Sequence, residues 1–190
     1  MTDTRVRPAT AGDADAICRI YNQGIEDRVA TLETELRTPA ERGRWLANRD
    51  ARHPVIVAEA NGEVVGWGSL NVFNPRDAYR FVADFSVYVE RAWRGKGVGR
   101  ALLEKLIELA RQNGFHKLVL SAFPVNAGGM ALYEKLGFRR VGVYREQGVL
   151  DGKWGHDHHG EAPVAARVIG GPSRRASSGW RSAAPRRGRA

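Results

Sequence analysis

The chain has 190 residues, 43% of them hydrophobic, a single cysteine and a formal net charge of +9. This length predicts one domain with a substantial core, and a single cysteine excludes an internal disulfide. No apolar run reaches membrane-spanning length and no leader-like segment is evident, so we expect a soluble cytoplasmic protein with no membrane partner.

The positive charge is concentrated towards the C-terminal end. Residues 155–190 contain seven arginines and two acidic residues, a net charge of +5, which leaves +4 for residues 1–154. The first 154 residues show no basic face with interleaved aromatic side chains, so we expect no nucleic-acid partner. The alternative is a protein that binds nucleic acid through its basic tail.

Capping signals and hydrophobic periodicity predict the secondary structure of the first half of the chain. After a short strand at Arg5–Arg7, the capping-box pattern Thr10–Asp13 precedes a helix with apolar residues at positions 17, 20, 21 and 25. Thr38–Glu41, with proline at the first helical position, predicts a second helix start. Asn61-Gly62 between two apolar runs is typical of a type I′ turn, so residues 55–70 are predicted to form a β-hairpin.

Strands and helices alternate in the second half. Residues 81–89 are predicted to form a strand with Asp84, Ser86 and Tyr88 on one face. Helices at 101–112 and 127–136 are predicted to alternate with strands at 117–123 and 138–144. This order indicates an α/β fold with a mixed central sheet flanked by helices.

A glycine-rich loop lies between the strand at 81–89 and the helix that follows it. The stretch Arg94–Arg100 has glycine at three alternate positions, which allows a tight turn with several backbone N–H groups directed at one point. The helix N-terminus and the three cations Arg94, Lys96 and Arg100 favour an anion there, so the loop is predicted to bind phosphate. A plain strand-to-helix turn with solvated cations is the alternative.

The R-x-x-G-x-G spacing of Arg94 to Gly99 resembles the pyrophosphate-binding loop of the GNAT acyltransferase superfamily. Asp84–Val89, Asn126, Leu132–Phe138 and Asp151–Trp154 narrow the similarity to phosphinothricin and arsinothricin N-acetyltransferases and related amino-acid N-acyltransferases. The resemblance covers roughly Arg5 to Trp154. It implies a GNAT-type sheet, acetyl-CoA as co-substrate and a homodimer.

The resemblance also assigns residues to acetyl-CoA and to the substrate. The residues expected to contact acetyl-CoA are Val87, Tyr88, Val89, Arg94, Gly95, Lys96, Gly97, Val98, Gly99, Arg100 and Asn126. Contacts along 87–89 are expected through the backbone, and Asn126 has a plain helix cap as its alternative role. In the loop before the strand at 81–89, Arg76, Tyr79 and Arg80 are candidates for holding a carboxylate or oxyacid group, with solvated arginines as the alternative.

Two residues are candidates for catalysis. Asp84 aligns with the general base of the resembled enzymes, usually a glutamate, and the shorter side chain is expected to act directly or through a water. A surface carboxylate in a salt bridge is the alternative. Tyr133 lies where many superfamily members have an acidic tyrosine. Because its ordinary pKa of about 10 exceeds that of a thiol, about 8.5, we expect a hydrogen bond to the leaving thiolate or a lowered pKa, with a packed aromatic as the alternative.

These assignments predict an acetyl-CoA-dependent N-acetyltransferase. The resemblance implies as substrate the α-amine of a small acidic amino acid or its phosphinic or arsinic analogue. Acylation of a protein amine is the alternative enzymatic function. A degenerate CoA-binding module without catalytic activity is the non-enzymatic alternative.

The composition changes after Trp154. Residues 1–154 are predicted to form the domain, and residues 155–190, rich in Gly, Pro, Ala, Ser and Arg, a basic disordered tail. The resemblance implies a final strand directly after Trp154. Omitting one G after the Trp154 codon lets the back-translated segment 155–163 encode an apolar, strand-like run, so we hypothesise a frameshift that leaves the final strand lost or altered.

The same segment contains a histidine cluster. His156, His158 and His159 with Asp157 are residue types that bind metals. Adjacent residues do not easily converge on one tetrahedral ion, and a frameshift accounts for the cluster without selection. We therefore expect no functional metal site.

Overall fold

The computed structural model describes residues 4–154 and a strand at residues 164–167. The helices are α1 (Ala14–Glu26), α2 (Pro39–Ala47), α3 (Val98–Gln112) and α4 (Ala127–Lys135). The strands are β1 (Arg5–Pro8), β2 (Val55–Ala60), β3 (Glu63–Val72), β4 (Val82–Val89), β5 (Lys117–Leu120), β6 (Arg139–Arg140), β7 (Val149–Leu150), β8 (Lys153–Trp154) and β9 (Val164–Arg167). The predicted mixed α/β fold is confirmed. Within the described part of the chain, no helix is long and apolar enough to cross a membrane.

One sheet of seven strands organises the fold, in the order β1-β2-β3-β4-β5-β9-β6. β4 and β5 run parallel, and all other neighbours in this sheet run antiparallel. β4 pairs with β3 as far as Val89, but its pairing with β5 stops at Asp84. Because β5 ends at Leu120, the two strands separate beyond Asp84 and leave a split in the sheet.

The local signals in the sequence are confirmed where they involve caps and turns. The Thr38 hydroxyl accepts a hydrogen bond from the Glu41 amide at the start of α2. Asn61 and Gly62 have φ angles of 54° and 80°, as a type I′ turn requires. Helix α3 begins at Val98 rather than at position 101, because Gly97 adopts the left-handed conformation and forms the N-cap.

Two hydrophobic cores lie on opposite faces of the sheet. On one face, α3 packs closely on β3, since a Cβ at Gly66 would come within 2.9 Å of Val98. On the other face, Tyr21 of α1 packs against Trp67 and Tyr88, whose rings are stacked with centroids 4.9 Å apart. Alternation along β4 therefore places Asp84, Ser86 and Tyr88 on the α1 face, as predicted.

Two predicted strands are shorter than expected. The strand predicted at 117–123 ends at Leu120, and the strand predicted at 138–144 consists of Arg139–Arg140 only. β9 pairs with just those two residues of β6, so the following segment has no strand partner in the described sheet. Val141 and Val143 are exposed there.

A strand lies beyond the predicted domain boundary at Trp154. β9 pairs antiparallel with both β5 and β6, so the described sheet contains a strand after Trp154. Backbone hydrogen bonding explains why this is possible, since a strand of different sequence still satisfies the N–H and C=O groups of β5. The histidine cluster and the rest of the predicted tail lie outside the described residues, and the frameshift stays a hypothesis.

Removing β9 is expected to destabilise the domain. A chain that ends at Trp154 leaves β5 and β6 without their shared neighbour. We expect its Tm to be at least about 5 °C below that of a chain that ends at Gly170, equivalent to about 2 kcal/mol for a domain of this size. Thermal unfolding followed by circular dichroism measures the difference. Equal Tm values would show that β9 adds nothing to stability.

Candidate active site

Two adjacent cavities, which share lining residues, lie at the split between β4 and β5. The first, of about 160 Å³, is lined by Asp84, Ser86 and the segment after β5 at residues 121–123. The second, of about 440 Å³, extends to the glycine loop at residues 94–100. Residues that line both are Val29, Ala30, Val87, Tyr88, Asn126 and Tyr133. The two cavities therefore adjoin, with a carboxylate in the first and the glycine loop in the second.

The glycine loop has the backbone geometry of an anion site. Gly95 and Gly97 have φ angles of 75° and 89°, in the left-handed region, and a Cβ at either position would meet no atom within 4 Å. Backbone conformation rather than crowding thus requires glycine here. The first amides of α3 have no acceptor within the helix, and together with the helix dipole they favour a bound anion. Val98 lines neither cavity and its side chain is buried in the core, so a contact of this residue with an anion would be through its backbone N–H and stays a prediction.

Arg94 of the glycine loop is bound to other parts of the protein. Arg94 lines the second cavity, its Nη1 lies 2.6 Å from the Asp27 carboxylate, and its Nε donates to the Val89 carbonyl at 3.2 Å. Burial is the largest influence on the pKa of Asp27 and raises it, but hydrogen bonds from Arg91 and Arg94 together lower that pKa. Arg94 is therefore held in place by the end of α1.

The other cations of the loop differ in position. Arg100 lines the second cavity, as does Lys135, and the Arg100 Nε donates to Glu104 at 2.8 Å. Lys96 lines neither cavity. Its Nζ lies 5.1 Å from the centre of the Trp93 ring. The contact of Lys96 with the cofactor stays a prediction, and neither cavity supports it.

The end of β4 forms one wall of the second cavity. Val87, Tyr88 and Val89 line it, and β5 does not pair with them. Backbone groups on this edge are thus available to a ligand, as the resemblance implied. Burial raises the pKa of Tyr88 far above its ordinary value, so the hydroxyl stays protonated. The Tyr88 ring has room only because position 24 is glycine, where a Cβ would come within 2.8 Å of the ring.

Asp84 and Tyr133 face the same space from opposite sides of the split. Asp84 lines the first cavity, and its Oδ1 accepts a hydrogen bond from the Phe85 amide at 2.6 Å. Burial and the negative charge of Asp84 raise the pKa of Tyr133 to about 12. The expectation of a lowered pKa for Tyr133 is therefore wrong. Tyr133 stays protonated and can act as a hydrogen-bond donor.

Asn126 lies where both of its expected roles require it, at the start of α4 and in the wall of the cavities. Its Oδ1 caps α4 by accepting from the Gly129 amide at 3.0 Å. Asn126 also lines both cavities. Because the cap uses the oxygen, the Nδ2 donor is left for a bound molecule.

The structure does not bring Arg76, Tyr79 and Arg80 to the cavities. None of the three is among the described residues that line them. Arg80 pairs locally with Asp77 at 2.7 Å, and Tyr79 packs edge-on against Phe73. Their role in binding a substrate stays a prediction.

Several lining residues were not identified from sequence. Val29 and Ala30 follow α1 in a segment without periodic pattern, so no sequence signal marks them. Ser86 carries a signal, since alternation along β4 predicts it on the same face as Asp84. The pair Gly128-Gly129 in the first turn of α4 also carries a signal. Adjacent glycines in a helix indicate that another group comes close to the backbone there.

Comparison with known proteins connects this geometry to one family. Residues 17–138 match the acetyltransferase (GNAT) family. The chain is 35% identical over 154 residues to the L-methionine sulfoximine/L-methionine sulfone acetyltransferase of Salmonella typhimurium, covering 78% of this chain and 88% of that enzyme. It is 34% identical over 152 residues to the phosphinothricin N-acetyltransferase of Streptomyces viridochromogenes, covering 80% and 82%.

A solved structure shows the same likeness in three dimensions. The phosphinothricin acetyltransferase of Sinorhizobium meliloti, crystallised with acetyl-CoA, superposes with a TM-score of 0.80 at 28% identity, covering 92% of this chain and 95% of the other. Sequence match, fold and the cavity between a carboxylate and a glycine loop agree. This chain belongs to the GNAT family of acetyltransferases.

Proposed function

We propose that the protein transfers the acetyl group of acetyl-CoA to the α-amine of a small amino acid or its phosphinic or arsinic analogue. The observation that carries this proposal is the pair of adjoining cavities, with Asp84 in the first and the glycine loop in the second. The relatives named for phosphinothricin and methionine sulfoximine support the class of substrate. A cytoplasmic location is part of the proposal.

The residues that line the second cavity suit acetyl-CoA. The amides at the start of α3, with Arg94 and Arg100, provide donors and positive charge for a pyrophosphate. The unpaired edge of β4 beyond Asp84 provides donors and acceptors for an extended chain of amides. When bound, acetyl-CoA supplies a thioester whose acyl carbon accepts the amine.

Each step of the transfer has a candidate group in the chain. Asp84 accepts the proton that the substrate ammonium must lose before nitrogen can attack. Backbone N–H groups on the free edge of β4 stabilise the negative charge on the acetyl oxygen. As the new C–N bond forms and the C–S bond breaks, the Tyr133 hydroxyl donates a hydrogen bond to the departing thiolate. The nitrogen loses its second proton to solvent, and the released thiolate takes a proton from solvent.

We also propose that the protein is a homodimer. Apolar side chains that are about half exposed cluster in the sequence after β6 and in the β7–β8 hairpin: Val141, Val143, Val149 and Trp154. Exposed apolar groups of this size favour burial against a partner. Sedimentation at several protein concentrations tests the assembly, and a monomer at every concentration would contradict it.

Release of CoA thiol over a panel of amines tests the proposed function. The panel contains glutamate, phosphinothricin, arsinothricin, methionine sulfoximine and peptides with free N-termini. Rapid release with the free amino acids or analogues is expected. Release with peptides alone would indicate a protein acetyltransferase, and acetyl-CoA binding without any release would indicate an inactive module.

Replacing Tyr133 with phenylalanine is expected to lower kcat about tenfold with little change in the affinity for acetyl-CoA. The hydroxyl is the part that would stabilise the leaving sulfur, while the ring packs beside Phe85 with centroids 6.0 Å apart and is retained. Because the pKa of Tyr133 is about 12, its ionisation should not shape the rate between about pH 7 and 10. The exposed Tyr144→Phe is the matched control. A Tyr133→Phe rate equal to the parent would leave Tyr133 with a packing role.

A further inference from the structure

A row of polar side chains crosses β3 and β4 beside the candidate base. The register places Asn71 opposite Asp84 and Ser69 opposite Ser86. Directly opposed residues in an antiparallel pair lie on the same face, so these four side chains are neighbours. Ser86 and Asp84 line the first cavity. The other two residues lie behind them.

Hydrogen bonds fix the orientation of the Asn71 amide. The Ser69 hydroxyl donates to its Oδ1 at 2.9 Å, and the Arg49 guanidinium donates to the same oxygen at 3.3 Å. A guanidinium has no acceptor, so the atom it contacts must be the amide oxygen. The Asn71 Nδ2 therefore faces Ser86 and donates to its Oγ at 3.1 Å.

This contact determines what the Ser86 hydroxyl can do. Since its oxygen accepts from Asn71, the hydroxyl proton must be donated elsewhere. The structure shows no hydrogen bond from this hydroxyl to an acceptor among the residues it describes, and Ser86 lines the first cavity. Ser86 is thus a donor directed into the cavity that contains Asp84.

The Arg49 guanidinium bonds the end of the row that lies away from the cavity, at Asn71. Arg49 is half-buried, donates through Nε to the His53 carbonyl at 3.0 Å and also bonds the Leu70 carbonyl. A charged donor polarises the amide it bonds, which strengthens the next hydrogen bond in a chain. Ser69 is almost completely buried, so the row does not exchange partners with solvent on that side.

We propose that Ser86 is a positioning residue that holds the water through which Asp84 takes the proton of the substrate amine, with Asn71 fixing the direction of its hydroxyl. The water accepts hydrogen bonds from Ser86 and the ammonium and donates to the Asp84 carboxylate. It takes a proton from nitrogen and passes one of its own to Asp84, so the water is regenerated and Asp84 is protonated. This role rests on the proposed function.

The first test compares two substitutions of Ser86. Ser86→Ala removes the donor, and we expect kcat to fall about fivefold while the KM for acetyl-CoA and the Tm stay unchanged. Ser86→Thr keeps the hydroxyl and should restore kcat to within about twofold. A Ser86→Ala enzyme as fast as the parent, or a Ser86→Thr enzyme as slow as Ser86→Ala, would overturn the role.

The second test reverses the direction of the Ser86 hydroxyl. Asn71→Asp keeps an acceptor for Ser69 and Arg49 but replaces the Nδ2 donor with an oxygen, which draws the Ser86 proton away from the cavity. We expect a similar loss of kcat, read at the pH optimum of each enzyme because the new charge lies opposite Asp84. The double variant with Ser86→Ala should lose no more than either single variant. Fully multiplicative losses would contradict the proposal.

The parent enzyme separates this inference from the function on which it rests. A parent that acetylates no amine would overturn the proposed function and the role of Ser86 together. If the parent is active and the Ser86→Ala variant has the same kcat, only the role proposed for Ser86 would be overturned. Asn113→Ala is the control for the loss of a side-chain amide hydrogen bond. It removes the bond from the Asn113 amide to the Arg52 carbonyl, which lies away from the cavities, and it should keep the parent kcat.

Discussion

Asp84→Asn is expected to lower turnover about 10²- to 10⁴-fold near neutral pH and to leave the affinity for acetyl-CoA nearly unchanged. The substitution keeps the size and the hydrogen-bond acceptor of the side chain but removes its ability to take a proton. Asp84 lines the first cavity and not the second, so the groups expected to bind acetyl-CoA are untouched. The loss should therefore fall on kcat.

Thiol release and titration calorimetry measure the two quantities separately. Asp15→Asn is the matched control, because Asp15 is an exposed acid in the first turn of α1 and lines neither cavity. Turnover of Asp84→Asn comparable to the parent would place the base elsewhere and leave Asp84 a structural residue.

Gly97→Val is expected to weaken acetyl-CoA binding at least about thirtyfold, or about 2 kcal/mol. Gly97 has a φ angle of 89°, which a β-branched residue does not tolerate, and it forms the N-cap of α3. No protein atom lies within 4 Å of a Cβ built there, so the protein has room to fold. The change then rotates the amides of the loop and places a side chain in the cavity.

A second glycine at the other end of the same helix provides the control. Gly114 follows the C-terminus of α3 with a φ angle of 73°, lies in equally open space and lines neither cavity. Gly114→Val should lower the Tm without changing the acetyl-CoA affinity. A folded Gly97→Val protein with unchanged affinity would remove the phosphate-binding role from the loop.

The features predicted correctly depend on interactions between residues near in sequence. A type I′ turn at Asn61-Gly62, the cap at Thr38 and the left-handed loop glycines each follow from a few neighbouring side chains. The amphipathic face of β4 is equally local. For the same reason, strand alternation alone is enough to place Ser86 on the face of Asp84.

The features that sequence could not provide depend on distant parts of the chain. Arg94 is held by Asp27, a partner at the end of α1, and no motif links the two. The raised pKa of Tyr133 requires burial and the approach of Asp84 from another element. Strand β9 pairs with β5 through backbone groups, and backbone pairing leaves only a weak signal in a sequence.

The end of β4–β5 pairing at Asp84 divides β4 into two parts with different mechanical constraints. Up to Asp84 the strand pairs with a neighbour on each side, and from Phe85 onward β3 is its one partner among the described strands. The proposed base thus belongs to the part that is paired on both sides, and the acyl donor would lie along the part that is paired on one side. A ligand there takes the place of a missing strand, so completing the sheet and aligning the acyl carbon with the base become a single event.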